Sequence, residues 1–239
     1  MIHQPAPIRR LIETLGFFRI YGMKIGIPFL LLYLPVVALN VALPFMADES
    51  TSKSGLLGLS YLIQFMYQPI YTGALIFWLA RIEAGEPWSL KDGAVVGVAL
   101  WDKMILANLI SHVLIVVGLL ALIIPGLIAY ARLALAEFSI VLDGDAAREA
   151  IRRSFVITRP FAWEILASSG ILFLAFLYLE IVLSWINGLL SGGIIMDLAA
   201  SSLLSVVLMI NLTILLFRFY GLAVRRAGGR PEGSGDRGV

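Results

Sequence analysis

LIIPGLIAYARLALAEFSIVLDGDAAREAIRRSF, residues 122–155, decides how the chain is read. It opens apolar, with Pro125 and Gly126 inside the run, and then places Arg132 and Glu137 where an ordinary membrane span has no charge. Asp143 and Asp145 follow, and after them a short helix carrying Arg148, Arg152 and Arg153. Taken with what precedes it, Met104 to Leu142 is interrupted by those two charges alone. As one helix this stretch would reach about 58 Å, roughly twice a ~30 Å hydrocarbon core. The chain must therefore reverse. Ile124-Pro125-Gly126 is the expected turn, since proline suits the first position of a helix and glycine suits a tight reversal.

Composition places that stretch in context. Of 239 residues, 60% are hydrophobic and 14% charged, against roughly 45–50% and 25% in soluble domains. Mean hydropathy is +0.93. One soluble core cannot hide this much apolar side chain, so lipid is expected to take the rest. The chain has no cysteine, which excludes disulfides and thiolate chemistry. A net charge of +2 gives no argument for nucleic acid.

Counting runs of about 20 apolar residues gives an all-α, polytopic architecture of six transmembrane helices, with amphipathic interfacial helices before spans one, three and five. The spans are expected at 25–46, 56–80, 104–123, 126–142, 161–186 and 194–221, within a membrane domain of 25–223. Residues 1–24 form an amphipathic arm, and 228–239 a Gly-rich, disordered tail. No cleavable leader is expected, since the first 24 residues lack an apolar h-region. Lys and Arg cluster in alternate connecting segments, and the other three hold only Lys53. By the positive-inside rule both termini are expected on the cytoplasmic side.

Each interfacial helix shows a two-faced pattern. Ile8, Leu11, Ile12, Leu15 and Phe18 oppose Arg9, Arg10 and Glu13. Ala147, Ala150, Ile151, Phe155 and Thr158 oppose Arg148, Glu149, Arg152 and Arg153, with Asp145 as N-cap and Glu149–Arg153 as an i,i+4 pair. The middle copy, Ser89 to Leu100, is weakened by Gly93 and Gly97. Arg9, Arg10, Arg148, Arg152 and Arg153 are expected to meet anionic phospholipid headgroups. Trp88, Trp101, Trp163 and Trp185 suit interfacial anchors.

The intramembrane polar candidates are Arg132, Glu137, His112, Asn108 and Asn211. By depth, His112 lies near Arg132 and Asn108 near Glu137. Five residues separate Arg132 from Glu137, so the two project apart and need different partners. They read either as internal pairing that fixes helix order or as the lining of a solute path. Two histidines, His3 and His112, cannot form a metal cluster, and no nucleophile elbow or phosphate loop occurs. No metal, cofactor or catalytic residue is expected.

The segment from Ile124 to Trp163 resembles the YciC-like family of bacterial inner-membrane proteins, itself similar to the membrane domain attached to some glycerophosphodiester phosphodiesterases. The resemblance rests on Pro125, Gly126, Asp143, Ala150, Arg153, Ser154 and Trp163. It implies a multi-pass inner-membrane protein without the phosphodiesterase domain, and supplies no catalytic residue. The expected role is non-enzymatic, structural or lipid-associated in the envelope. The alternative is a transporter or channel for a small solute or lipid. Membrane lipids are the expected partner, with a homo-oligomer or an envelope protein as further options.

Overall fold

The computed structural model describes residues 6–46, 53–190 and 193–228, and these are helical throughout apart from short connections. The helices are α1 (Ala6–Met46), α2 (Lys53–Ala84), α3 (Leu90–Ala99), α4 (Trp101–Ala121), α5 (Ile123–Leu133), α6 (Ala136–Asp143), α7 (Ala147–Ile157), α8 (Ala162–Leu189) and α9 (Ile194–Gly228). Among the described residues five stretches are long and apolar enough to cross a membrane: α1, α4, α5 with α6 (Ile123–Asp143), α8 and α9. Such helices are compatible with a multi-pass membrane protein. The residues Asp48 and Glu49 and the tail beyond 228 lie outside the described residues.

α2, expected as a span over 56–80, is not among the five. Its 32 residues suffice in length, but Gln64, Gln68, Pro69 and three tyrosines dilute its apolar character. The structure shows why this is tolerated. α2 touches α1, α3, α4, α6 and α9, and Tyr71, Ala74, Leu75, Ile76, Trp78 and Leu79 are buried. Its polar groups are used inward: Gln64 Nε2 donates to Asn40 Oδ1 at 3.1 Å, and the Tyr67 hydroxyl to the Leu32 carbonyl at 2.8 Å. The C-terminal half of α2, enclosed by protein, needs partners rather than a lipid-soluble surface, whereas Leu57, Leu59, Leu62 and Ile63 of its N-terminal half are exposed.

Four boundaries differ from expectation. α1 is one helix of 41 residues, so no joint separates arm from span. At about 62 Å it far exceeds a ~30 Å core. Of its expected apolar face, Leu11 is buried in the protein, as is Thr14, whereas Ile8, Ile12 and Leu15 are exposed. Next, the reversal falls at Leu122, which is extended and caps α5. Pro125 sits within the first turn of α5, where it forfeits no helical hydrogen bond, and Gly126 serves helix contact instead. A Cβ on Gly118 would stand 2.9 Å from the Gly126 Cα, so this small-residue pair lets α4 and α5 approach closely. Third, the expected 126–142 span is two helices, broken at Ala134–Leu135. Fourth, α9 continues past 221 to Gly228.

Gly93 and Gly97, expected to weaken α3, are what fasten it. α3 lies along α2, where a Cβ on Gly97 would come within 2.2 Å of the Ile70 carbonyl oxygen, and one on Gly93 within 2.2 Å of Trp78 Nε1. Trp78 Nε1 in turn donates to the Ser89 carbonyl at 2.9 Å. Two tryptophans expected as lipid anchors also act within the fold: Trp88 packs on Trp78, and Trp101 Nε1 donates to the Met66 carbonyl. Trp163 and Trp185 are exposed.

Helix propensity and packing thus make opposite forecasts for glycine replacement. Gly97→Ala is expected to lower thermal stability in detergent by about 1–3 kcal/mol through backbone overpacking. Gly58→Ala on α2, whose Cβ would meet nothing within 4 Å, should be neutral or stabilising. Melting curves of the two variants beside the parent chain check the sign.

Candidate functional site

The break between α5 and α6 sets the site. An uninterrupted helix would use the Arg132 carbonyl for the amide of residue 136 and the Leu135 amide for the carbonyl of residue 131. The turn at Ala134–Leu135 releases both, and a single side chain from α7 takes them up. Ser154 Oγ donates to the Arg132 carbonyl at 2.8 Å and accepts from the Leu135 amide at 3.2 Å. Thr158 Oγ1 lies 3.2 Å from the same carbonyl and 2.6 Å from its own Ser154 carbonyl. Both hydroxyl residues are fully buried.

Small residues allow α7 to come this close. Ala147 and Ala150 pack with Met104, Ala107, Ala136 and Ile140 in one buried cluster. From the position next to Ser154, Arg153 Nη1 reaches back to Asp143 at 2.7 Å and Asp145 at 3.2 Å, and the Tyr220 hydroxyl of α9 donates to Asp143. The expected Glu149–Arg153 pair is therefore replaced by two aspartates that the αL turn at Gly144 (φ 76°) brings round. Asp145 is not the N-cap. Ala146 holds that position, and its amide donates to Glu149 Oε2 at 3.4 Å.

Arg132 is settled by the same joint. Its Nε donates to the Phe155 carbonyl at 2.9 Å, and its guanidinium lies 4.6 Å from the centre of the Phe155 ring. That carbonyl belongs to the last turn of α7, where a cation complements the helix dipole. Arg132 does not meet His112. The His112 ring is exposed, packed edge-on against Phe65, with Nδ1 at 2.7 Å from the Asn108 carbonyl.

Glu137 goes elsewhere. It lines a partly open cavity of about 170 Å³ between α2, α4, α5, α6 and α9, also lined by Gln68, Thr72, Asn108, Ser111, Tyr130 and Thr213. The expected proximity of Glu137 and Asn108 is what the fold provides. Three polar atoms of this cavity are buried without a hydrogen-bond partner: Glu137 Oε1, Asn108 Nδ2 and Thr72 Oγ1. Asn108 and His112 are the polar side chains on α4 that bear on the Glu137 carboxyl. No arginine or lysine lines the cavity. Buried polar atoms are nearly always paired, and each orphan costs about 1–3 kcal/mol. Three on one cavity wall form a ready acceptor and donor set for a small guest.

Asn211 is buried on α9 with Nδ2 on the Val207 carbonyl at 2.8 Å and Oδ1 unpartnered, but it is not part of the cavity wall. Gln68, Thr72, Ser111, Tyr130 and Thr213 were not foreseen as site residues. Their signal was spacing: Gln68 with Thr72 and Asn108 with Ser111 fall one turn apart, on single faces of otherwise apolar helices. Among the described residues no group of three or more His, Asp or Glu could hold a metal.

The expected lipid contacts divide into two sets. Arg148 and Arg152 are exposed on α7, whereas Arg153 is committed to Asp143 and Asp145. Arg9 and Arg10 both reach Glu13. No family profile, curated protein or solved structure matches the chain.

Removing the Ser154 hydroxyl orphans the Leu135 amide in a buried place. Ser154→Ala is expected to cost about 1–3 kcal/mol. Ser205→Ala on α9, whose hydroxyl bonds only its own i−4 carbonyl at 2.9 Å, should cost less than about 0.5 kcal/mol. Thermal unfolding of the two variants in the same detergent makes the comparison.

Proposed function

We propose that the chain is a six-span, multi-pass protein of a bacterial inner membrane, with both termini cytoplasmic. It admits a small polar solute, cationic or rich in hydrogen-bond donors, to the cavity holding Glu137. α2 supplies the sixth crossing, its C-terminal half shielded by its neighbours and its N-terminal half presenting Leu57, Leu59, Leu62 and Ile63, and the segregation of Lys and Arg supports the orientation. α3 and α7 then lie toward the cytoplasmic side. The reading is of a non-enzymatic protein without a cofactor, working as a carrier or channel. One observation carries it: a carboxyl group with a buried, unpartnered oxygen and no basic residue on its cavity wall, beside two further unpartnered polar atoms. Intramembrane ionisable groups left without an internal partner characteristically mark solute or ion paths.

This departs from the structural or lipid-associated role expected first. Purely structural polar groups would be mutually satisfied, as Ser154, Arg132 and the Leu135 amide are. Kinship with the YciC-like family is part of the proposal. It is supported by the work that the resembling residues do: Gly126 in the α4–α5 approach, Ala150 and Ser154 in α7 docking, and Arg153 in pairing α7 with Asp143.

Full-length protein in detergent, heated with sodium, potassium, ammonium or methylammonium chloride at constant ionic strength, tests the reading. At least one cation should raise the melting temperature of the parent chain, by a few degrees at saturating concentration. The Glu137→Gln variant, which keeps the shape of the side chain and removes its acidic function, should be about as stable without ligand and show no such rise. No shift in the parent, or an equal shift in the variant, contradicts the proposal. Flux of the stabilising cation into reconstituted vesicles then separates transport from binding alone.

A further inference from the structure

Where α1 begins and α9 ends, one carboxylate is shared by three guanidiniums. Glu13 lies 3.2 Å from Arg10, 3.8 Å from Arg9 and 3.5 Å from Arg218. Arg10 and Arg218, with Arg225 two turns further along α9, line a cavity of about 280 Å³ between α1, α2 and α9. Glu83 is the other acid on its wall. The Arg10 side chain is only 18% exposed, and its Nε is buried without a hydrogen-bond partner.

Arginine cannot shed its proton, and it offers five donors in a fixed fork. Three arginines against two carboxylates leave the cavity with an excess positive charge, and Arg9 adds to it. A donor left over in such a place is short of an acceptor oxygen rather than of a cation. The rest of the wall is apolar, including Phe17 and Phe217, with the Arg218 guanidinium 5.6 Å from the Phe17 ring centre. A cationic floor beside an aromatic wall, at the charged end of long apolar helices, fits a molecule with an anionic head and a hydrocarbon body.

We infer that this cavity binds the phosphate of an anionic phospholipid. Arg10 and Arg218 donate to the phosphate oxygens as charge-assisted hydrogen bonds, Arg225 adds positive charge, and Phe17 and Phe217 meet the glycerol and the first methylenes. Glu13 holds the two guanidiniums in place and competes with the phosphate for them. The inference rests on the membrane reading but not on the solute reading, since this cavity and that of Glu137 share no lining residue.

Native mass spectrometry of the full chain, titrated with phosphatidylglycerol or phosphatidylcholine, tests it. Phosphatidylglycerol should bind the parent at least about ten-fold tighter than phosphatidylcholine. The Arg10→Gln/Arg218→Gln variant should lose about thirty-fold of that affinity, at about 1 kcal/mol per arginine. Arg148→Gln/Arg152→Gln on α7 should stay within about two-fold of the parent. Glu13→Gln, which removes the competitor and keeps both arginines, should tighten binding about five-fold. That gain is of opposite sign to the loss from a merely structural network, and it decides the matter alone if the arginine variant does not fold. An unaffected arginine variant, equal loss from the α7 variant, or weaker binding by Glu13→Gln overturns the inference. Displacement of the lipid by sn-glycerol 3-phosphate at matching concentrations would assign the site to a soluble phosphate and overturn the lipid assignment.

Discussion

The backbone of residues 132–135 cannot satisfy itself. Once the helix breaks at Ala134–Leu135, a carbonyl and an amide stand free in an interior from which water is excluded, and something within reach must bond to both. A serine hydroxyl is the smallest group able to donate and accept at once. Ser154 brings that hydroxyl in on α7, and its position fixes much else. α7 must lie against α4 and α6, which requires alanine at 147 and 150. Its final turn then faces Arg132, which leaves the cavity to bind the Phe155 carbonyl and ring. The residue beside Ser154, Arg153, reaches back to Asp143 and Asp145, and Tyr220 bonds the same Asp143.

The break also separates the two charges of that segment. In a straight helix Arg132 and Glu137 would already project about 140° apart, by five residues at 100° each; the turn between them gives each its own surroundings. Arg132 is compensated by a helix terminus and an aromatic face. Glu137 is left with amide, hydroxyl and phenol neighbours and no basic residue on its cavity wall. The same joint that stabilises the fold therefore leaves the Glu137 carboxyl facing the cavity with one oxygen unpartnered, the feature on which the proposed solute site rests.

Much of this was legible in the residues. The all-α class followed from composition, and the reversal near 122–126 from a length that no bilayer accommodates. The Glu137–Asn108 proximity followed from counting rise along two antiparallel helices. What could not be read were tertiary choices between equivalent local options. Arg153 had Glu149 one turn away and instead took Asp143 and Asp145, because Gly144 turns the chain back on itself. Gly93 and Gly97 count against a helix by propensity, yet here they mark where a second backbone comes within contact distance. Periodicity groups Ile8, Ile12 and Leu15 with Leu11 on one apolar face, yet only Leu11 of the four is buried in the protein. In a lipid solvent an apolar stripe has no obligation to be buried in protein, so periodicity alone does not choose the inward side.

Amide hydrogen exchange at Leu135 tests the account most directly, because that one N–H exists as a bonded group only if Ser154 holds it. In the intact chain it should exchange as slowly as amides in the middle of α9, and in Ser154→Ala it should exchange orders of magnitude faster while neighbouring α9 amides stay slow. Rapid exchange at Leu135 in the parent chain, or protection that survives loss of the hydroxyl, would contradict the account.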